Sequence, residues 1–225
     1  MTEAEPRTEN WSTLSDAEVV ARVCAGETGL FELLMRRYNQ RVYRVGRAVL
    51  RDDMEAEELA QETWVRVFTH LAGFEGRSLF STWLTRIAYN EAWALARRRR
   101  RFESIEAGRD LPGRSSEDKE DDPEQVATNR ELQSAVEDAV TALPVTYRTV
   151  FVMRQIEEMS TEETAEILDL TPGAVKVRLH RARALLRRKL LRRRAFQPTE
   201  LFPFLGSRCD RIVRLVGDRI ESVHT

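Results

Sequence analysis

Cysteine, histidine and long apolar runs are scarce in this sequence, and each scarcity excludes a class of protein. The chain of 225 residues contains two cysteines, Cys24 and Cys209, and three histidines, none at metal-ligand spacing. A disulfide framework and a zinc site are therefore excluded. No apolar run approaches the ~20 residues of a membrane span, and the acidic N-terminus lacks the basic and apolar regions of a signal peptide. We expect a cytoplasmic protein without membrane insertion.

The signatures of an active site are also missing. No Gly-rich phosphate loop and no nucleophile-base pair is recognisable in the sequence. We therefore expect no enzyme, no catalytic residue, no metal and no cofactor. A DNA recombinase remains a less favoured alternative, because it needs a catalytic serine or tyrosine in an arginine-rich domain and no arrangement here unites such residues.

Strand patterns are nearly absent, whereas apolar residues recur at helical spacing over 15–101 and 124–194. The sequence predicts an all-α fold of two small helical domains. The segment between them is polar and rich in turn residues, which is typical of a linker. We predict a disordered N-terminus (1–14), a first domain (15–101), a flexible acidic linker (102–123), a second domain (124–194) and a C-terminal extension (195–225).

Helix-start signals order the second domain as a helix-turn-helix. Ser160 and Glu163 form a capping box, as Ser15 and Glu18 do at the start of the first domain. The short helix that follows Ser160 ends near residue 168, and Pro172 then starts a long helix. A short helix, a tight turn and a basic second helix are typical of a DNA-binding helix-turn-helix.

Charge is strongly segregated along a chain whose net charge is only -1. Residues 97–101 are all arginine, and residues 171–194 carry 10 basic and no acidic side chains. Residues 102–125, in contrast, carry 3 basic and 9 acidic side chains. Two separate basic segments indicate a polyanion bound at two places, with acidic surfaces available to another partner.

The long basic helix has an apolar stripe that can hold it against the domain while its N-terminal turns enter a major groove. Lys176 and His180 are then best placed to reach base edges, and the neighbouring arginines to contact phosphates. A solvated basic helix is the alternative. The apolar stripe consists of Val175, Leu179, Ala182 and Leu186, and the phosphate candidates are Arg178, Arg181 and Arg183.

The segment 80–101 combines aromatic rings with arginines. Phe80, Leu84 and Ile87 share a side that faces the core, with Trp83 at its boundary. Another side suits single-stranded nucleic acid, because unpaired bases stack on rings while arginine neutralises the backbone. The alternative is that the rings pack on a neighbouring helix. The residues of this predicted surface are Arg86, Tyr89, Asn90, Trp93 and Arg97.

The third helix carries an acidic arc formed by Glu55, Glu58, Gln61 and Glu62. Such an arc is usually a solvated face. On a protein that otherwise binds nucleic acid, we interpret it as a site for a basic protein partner.

Three segments together resemble the extracytoplasmic-function (ECF) sigma factors of bacterial RNA polymerase. "EAEELAQETWVRVF" is similar to their polymerase-clamp segment, and "FSTWLTRIAYNEAWALARRRRR" to their promoter-melting and minus-10 segment. "LPVTYRTVFVMRQIEEMSTEETAEILDLTPGAVKVRLHRARALLRRKL" is similar to their minus-35 helix-turn-helix. The three occur in the family's order over roughly 15–191.

This resemblance implies a promoter-specificity subunit that binds core RNA polymerase and stabilises melted DNA. It implies that Glu58, Gln61 and Glu62 contact the polymerase clamp, and that Lys176 and His180 read the double-stranded minus-35 element. The loop "GFEGRSLF", which includes Phe74 and Phe80, would capture a base flipped from the single-stranded minus-10 element. An anti-sigma protein is expected as a further partner on the same ground.

A helix-turn-helix regulator that acts without entering the polymerase is the main alternative, although it leaves the aromatic-basic surface and the acidic arc unexplained. The C-terminal extension departs from the family's shorter members. Its apolar residues predict an amphipathic helix. We expect it to pack against the second domain, with regulation through the tail as the alternative. The residues concerned are Ile212, Val213, Leu215, Val216 and Ile220.

Overall fold

The computed structural model describes residues 13–106, 134–190, 201–204 and 206–223, and all regular elements in these ranges are helical. The predicted all-α fold is confirmed. Of the predicted disordered N-terminus, only residues 13 and 14 belong to the described part. Residues 107–123 of the predicted linker also lie outside it. The helices are α1 (Asp16–Cys24), α2 (Phe31–Leu50), α3 (Asp53–Thr69), α4 (Phe80–Glu106), α5 (134–141), α6 (Val145–Phe151), α7 (Thr161–Leu168), α8 (Pro172–Leu190) and α9 (Ser207–Val223).

The first domain is built from α2, α3 and α4 around an aromatic core, with α1 packed on α2. The Ser15 capping box that starts α1 is confirmed. Trp64 is fully buried, and its ring meets that of Phe31 edge to face with centroids 5.6 Å apart. Gly46 allows α2 and α3 to approach closely, because a Cβ atom there would lie 2.7 Å from Cδ2 of Leu59.

Helix α4 ends at Glu106, five residues beyond the arginines at which the sequence predicted its end. Residues 102–106 are tolerated in a helix, and the first strong helix breaker downstream is Gly108. The first part of the predicted linker is therefore helical.

The second domain contains the predicted helix-turn-helix in α7 and α8. The Ser160 capping box starts α7, and Asp169 adopts a left-handed conformation (φ 52°) that ends it. The side chain of Thr171 then accepts a hydrogen bond from the backbone N–H of Ala174 (3.2 Å), which caps α8. The predicted apolar stripe of α8 is buried, with Val175 and Ala182 fully enclosed.

The two domains pack against each other through a core shared by both, and Arg148 of α6 is fully buried where they meet. Its guanidinium donates hydrogen bonds to the carbonyl oxygens of Ala48 (2.5 Å) and Val49 (3.4 Å) at the end of α2. It also donates to those of Thr141 (2.6 Å) and Leu143 (2.9 Å) near the end of α5. The last carbonyls of a helix lack partners and carry partial negative charge, so a buried cation satisfies them.

Burial, together with the nearby arginines, lowers the pKa of Arg148 to about 9, and the side chain is still protonated at neutral pH. A second polar contact between the domains lies at Glu157. Its carboxylate pairs with Arg41 (2.9 Å) and with Arg44 (3.1 Å) of α2, and it is nearly buried. Such pairs are costly to break on one side only, because the remaining charge stays buried.

The C-terminal extension forms the predicted amphipathic helix, α9, but its predicted packing partner is wrong. Helix α9 packs against α2 and α3 of the first domain. Ile212, Val213 and Val216 are buried there, and each such burial contributes about 1.5–3 kcal/mol. The helical period predicts which face of α9 is buried, but it does not predict which domain that face packs against. Helix α9 carries several arginines, so it complements acidic α3 and would be repelled by basic α8.

Candidate nucleic-acid and protein interfaces

The N-terminal half of α8 presents Lys176 and His180 to solvent, and neither has a partner among the described residues. Two arginines of the same helix have contacts within the second domain. Arg183 donates two hydrogen bonds to Oε1 of Gln155 (3.0 and 2.6 Å). Arg181 lies 3.4 Å from the hydroxyl of Tyr147. The two base-reading candidates thus have no contact among the described residues to lose, whereas Arg181 and Arg183 each contact a side chain of the second domain.

Arg178, the third phosphate candidate, is half-buried. Burial raises the pKa of the Tyr89 hydroxyl, and a hydrogen bond with Trp93 and the positive charge of Arg178 both partly oppose that rise. The basic helix of the second domain therefore lies close to the aromatic surface of α4.

Phe80, predicted both as core-facing and as part of the base-capturing loop, is buried with 3% of its surface exposed. Its ring contacts those of Phe74 (5.7 Å) and Trp83 (5.8 Å), and Phe74 and Trp83 contact each other (5.2 Å). Phe74 and Trp83 are half-buried. Phe80 thus supports the two outer rings from beneath, and only those two have surface available to a base.

Tyr89 and Trp93 are half-buried and meet edge to face, with centroids 6.3 Å apart. Both pack on a small cluster that includes Leu50 and Leu59. The rings therefore have one side in the core, as in the packing alternative. Asn90 and Arg97 on the same helix are exposed.

The N-terminal half of α4 is in contact with α7 of the helix-turn-helix. Arg86 forms an ion pair with Glu166 (2.5 Å), and the hydroxyl of Thr82 donates a hydrogen bond to Glu163 (2.6 Å). This hydrogen bond, with a second from the Ser160 backbone, lowers the pKa of Glu163. The predicted single-strand surface is thus partly covered by the second domain.

The four residues of the acidic arc of α3 differ in exposure and in pairing. Glu58 is exposed, and Gln61 is half-buried. Glu62 pairs with Arg219 of α9 (2.6 Å), and Glu55 pairs with Arg99 of α4 (2.7 Å). Glu58 and Glu62 line a groove of about 490 Å³ between α3 and α4.

The sequence predictions did not include three of the residues that hold these surfaces in place. Glu57 of α3 lies outside the predicted arc, yet it pairs with Arg208 (3.3 Å) and Arg211 of α9. Arg148 and Glu157 join the domains, and neither stands out from the many charged residues in the sequence. Only the arginines spaced along α9 offered a signal, since they require an acidic partner.

Within the described ranges, no group of three or more histidine, cysteine, aspartate or glutamate side chains could hold a metal ion. Across the same residues, no helix is both long enough and apolar enough to span a bilayer.

Two sigma-70 family models match the two domains found here. The model of sigma-70 region 2 matches residues 34–102, and that of sigma-70 region 4 matches residues 133–186. The fold and its surfaces thus define a bacterial transcription initiation factor of the sigma-70 class, with a region 2 domain and a DNA-binding region 4 domain.

Curated relatives narrow this class. The chain is 32% identical over 176 residues to the ECF RNA polymerase sigma factor SigW of Bacillus subtilis, covering 76% of this chain and 94% of the relative. It is 33% identical over 189 residues to the ECF RNA polymerase sigma-E factor of Escherichia coli K12, covering 79% and 95%. The chain belongs to the ECF RNA polymerase sigma factors.

Solved structures share the fold. The sigma factor RpoE of Bartonella quintana, in complex with the anti-sigma factor NepR, matches with a TM-score of 0.58 at 22% identity, covering 72% of this chain and 95% of that one. CnrH, in complex with the cytosolic domain of CnrY, matches with a TM-score of 0.53 at 24% identity, covering 79% and 97%.

As a sigma factor, the protein binds core RNA polymerase and directs initiation at promoter DNA. The alternatives of a free-standing regulator and of a recombinase are therefore set aside.

Proposed function

We propose that this sigma factor reads the minus-35 element with Lys176 and His180, while Arg178, Arg181 and Arg183 hold the phosphate backbone. The observation that carries the assignment is the difference in partners along α8. Lys176 and His180 are exposed and without a partner among the described residues, so they can reach base edges without losing an existing contact. Arg181 and Arg183, which already contact side chains of the domain, suit phosphate contacts. Such contacts fix the position of the protein on DNA and carry no sequence information.

Transcription by mutant holoenzymes on a randomised upstream element tests this assignment. A base-edge contact discriminates by about 1–3 kcal/mol, so Lys176→Ala or His180→Ala should change the preferred sequence by roughly fivefold to a hundredfold at one position. Arg181→Ala is the matched control on the same helix. It should weaken binding to all sequences about equally and reduce its salt dependence. An unchanged preference in both test variants would show that α8 contacts only the backbone.

We further propose that α4 and the preceding loop hold the melted minus-10 strand. Asn90 and Arg97 are exposed for this role, and Arg86 becomes available when its pair with Glu166 is broken. Phe74 and Trp83 offer half-exposed rings for a flipped base, with Phe80 beneath them as a support. Tyr89 and Trp93 contribute the outer sides of their rings. Stacking of this kind contributes about 1–3 kcal/mol per base.

We propose Glu58, Gln61 and Glu62 as the polymerase-binding residues. The exposed carboxylates of Glu58 and Glu62 support this, because they suit a basic partner at the groove, which Arg66 and Arg98 also line. We also propose that the protein acts in the cytoplasm and performs no catalysis of its own. The solved complex of RpoE with the anti-sigma factor NepR supports an anti-sigma protein as a further partner.

A further inference from the structure

We propose that the C-terminal segment, residues 201–204 together with α9, competes within the chain with core RNA polymerase for the acidic surface of the first domain. Helix α9 must leave this surface before the polymerase can bind it fully. The proposal rests on the proposed role of Glu58, Gln61 and Glu62 in polymerase binding.

The ion pairs of α9 lie on both sides of the proposed polymerase-binding residues. Arg208 and Arg211 pair with Glu57, and Arg219 pairs with Glu62. At about 100° per residue, Gln61 and Glu58 fall at about 40° and 100° from Glu57, and Glu62 at about 140°. Gln61 and Glu58 therefore lie between the two glutamates that α9 binds, and one of these, Glu62, is itself a proposed polymerase contact.

The apolar face of α9 secures it on the first domain independently of charge. Ile212 and Val216 are fully buried, and Val213 nearly so. At the N-terminal end of α9, Asp210 pairs with Arg36 of α2 (2.8 Å). Helix α9 is thus held by an apolar stripe with ion pairs at its sides, which is the usual design of a helix docked on a protein surface.

Residues 201–204 anchor the segment where the two domains meet. The ring of Phe204 stacks on that of Tyr43 at 4.4 Å, and the guanidinium of Arg47 lies 5.0 Å from the ring centre of Phe202. Arg44, which also pairs with Glu157, donates a hydrogen bond to the carbonyl oxygen of Leu201 (2.8 Å).

The second domain also contributes to this anchor. The backbone N–H of Phe202 donates to the carboxylate of Glu137 in α5 (3.2 Å). The tail therefore touches both domains and favours their packed arrangement.

Part of the proposed polymerase-binding surface stays accessible while α9 is docked. Glu58 remains exposed at the open groove, so a basic partner can engage it before α9 moves. If the tail covers the surface in about 90% of molecules, the apparent Kd for the polymerase rises about tenfold.

The test measures the affinity of the full chain for core RNA polymerase by fluorescence anisotropy. Ile212→Asp with Val216→Asp should release α9, because buried carboxylates oppose docking. We expect affinity to increase about tenfold. Leu215→Asp is the matched control, since Leu215 is 38% exposed on the same helix, and should leave affinity unchanged.

A second variant tests the same release of α9 in case the first variant does not fold. Arg211→Glu with Arg219→Glu replaces exposed side chains and sets glutamate against Glu57 and Glu62, so it should also release α9 and raise affinity. Circular dichroism and limited proteolysis establish that each variant remains folded. Unchanged or weaker binding by both folded variants would overturn the proposal and assign the tail a purely structural role.

Adding Glu58→Lys to a variant in which α9 is released tests the competition by α9 separately from the proposed polymerase-binding surface. If the acidic surface binds polymerase, Glu58→Lys should reverse most of the gain. If releasing α9 changes nothing but Glu58→Lys still weakens binding, the competition is wrong and the polymerase-binding surface is right. If Glu58→Lys has no effect in the released chain, the polymerase-binding surface itself is wrongly assigned, and the proposal fails with it.

Discussion

The two domains differ in how ready their proposed binding surfaces are. On α8 of the second domain, the base-reading candidates Lys176 and His180 are exposed without partners among the described residues. On the first domain, Arg86 is paired with Glu166 of the second domain and Glu62 with Arg219 of the tail. The base-reading candidates of the second domain can therefore be reached without breaking a contact of their own, whereas residues of the first domain must exchange contacts within the chain for contacts with partners.

The largest expected effect comes from breaking the contact between the domains at Arg148. Arg148→Ala should lower the free energy of unfolding by about 3 kcal/mol, because it leaves buried carbonyl oxygens at the end of α2 without donors. The measurement is denaturant unfolding followed by circular dichroism. Arg181→Ala, an exposed arginine of the same domain, should change stability by less than about 0.5 kcal/mol. A loss for Arg148→Ala no larger than for this control would contradict the role of Arg148.

An intermediate effect is expected from two glycines of the tail, whose replacement should act in opposite directions. Gly217 lies inside α9 and a Cβ atom there would meet nothing within 4 Å, so Gly217→Ala should stabilise the helix by about 0.5–1 kcal/mol. Gly206 precedes α9 with φ 66°, so Gly206→Ala should strain the backbone by about 1 kcal/mol.

Affinity for core polymerase should therefore fall about twofold to fivefold with Gly217→Ala and rise with Gly206→Ala. The same anisotropy titration measures both. Shifts in the same direction for the two variants would show that the stability of α9 does not control access to the first domain.

The smallest expected effect is a pH dependence at the contact between α4 and α7. The hydrogen bond from Thr82 lowers the pKa of Glu163 in the folded protein, so its stabilisation is present above the ordinary glutamate pKa and is lost as pH falls through the lowered value. Because Glu163 is partly solvated, the contribution should be at most about 1 kcal/mol.

Thr82→Val removes this donor and should flatten the loss of thermal stability between pH 7 and pH 3. The comparison is between melting temperatures of the original chain and the variant across that range. Identical pH profiles would show that the hydrogen bond between Thr82 and Glu163 does not couple the domains.

Local chemistry explains why most of the fold was predictable from the sequence. The capping boxes at Ser15 and Ser160 and the buried stripe that begins at Val175 are set by residues three or four apart. The partners of long charged side chains were not predictable, because such pairs join residues far apart in sequence. Glu57 meets Arg211 across 154 positions, and the single sequence contains many arginines that could take its place.

The proposed DNA-binding surfaces show the same limit. Lys176 and His180 are exposed as the helical period predicts, since their helix is held by its own apolar stripe. Tyr89 and Trp93 are half-buried because Leu50 and Leu59 of other helices lie beneath them. The sequence does not distinguish an aromatic residue in a core from one on a nucleic-acid surface. Only the packing of neighbouring helices decides between the two.

The surface ion pairs of α9 make the protein sensitive to ionic strength in two opposing ways. Added salt screens exposed charges over a Debye length of about 8 Å at 0.15 M, so it weakens the hold of Arg211 and Arg219 on α3. The same salt weakens the attraction of α8 for phosphates. Releasing the tail from α3 and weakening the attraction for DNA therefore act on promoter binding in opposite directions as salt is added.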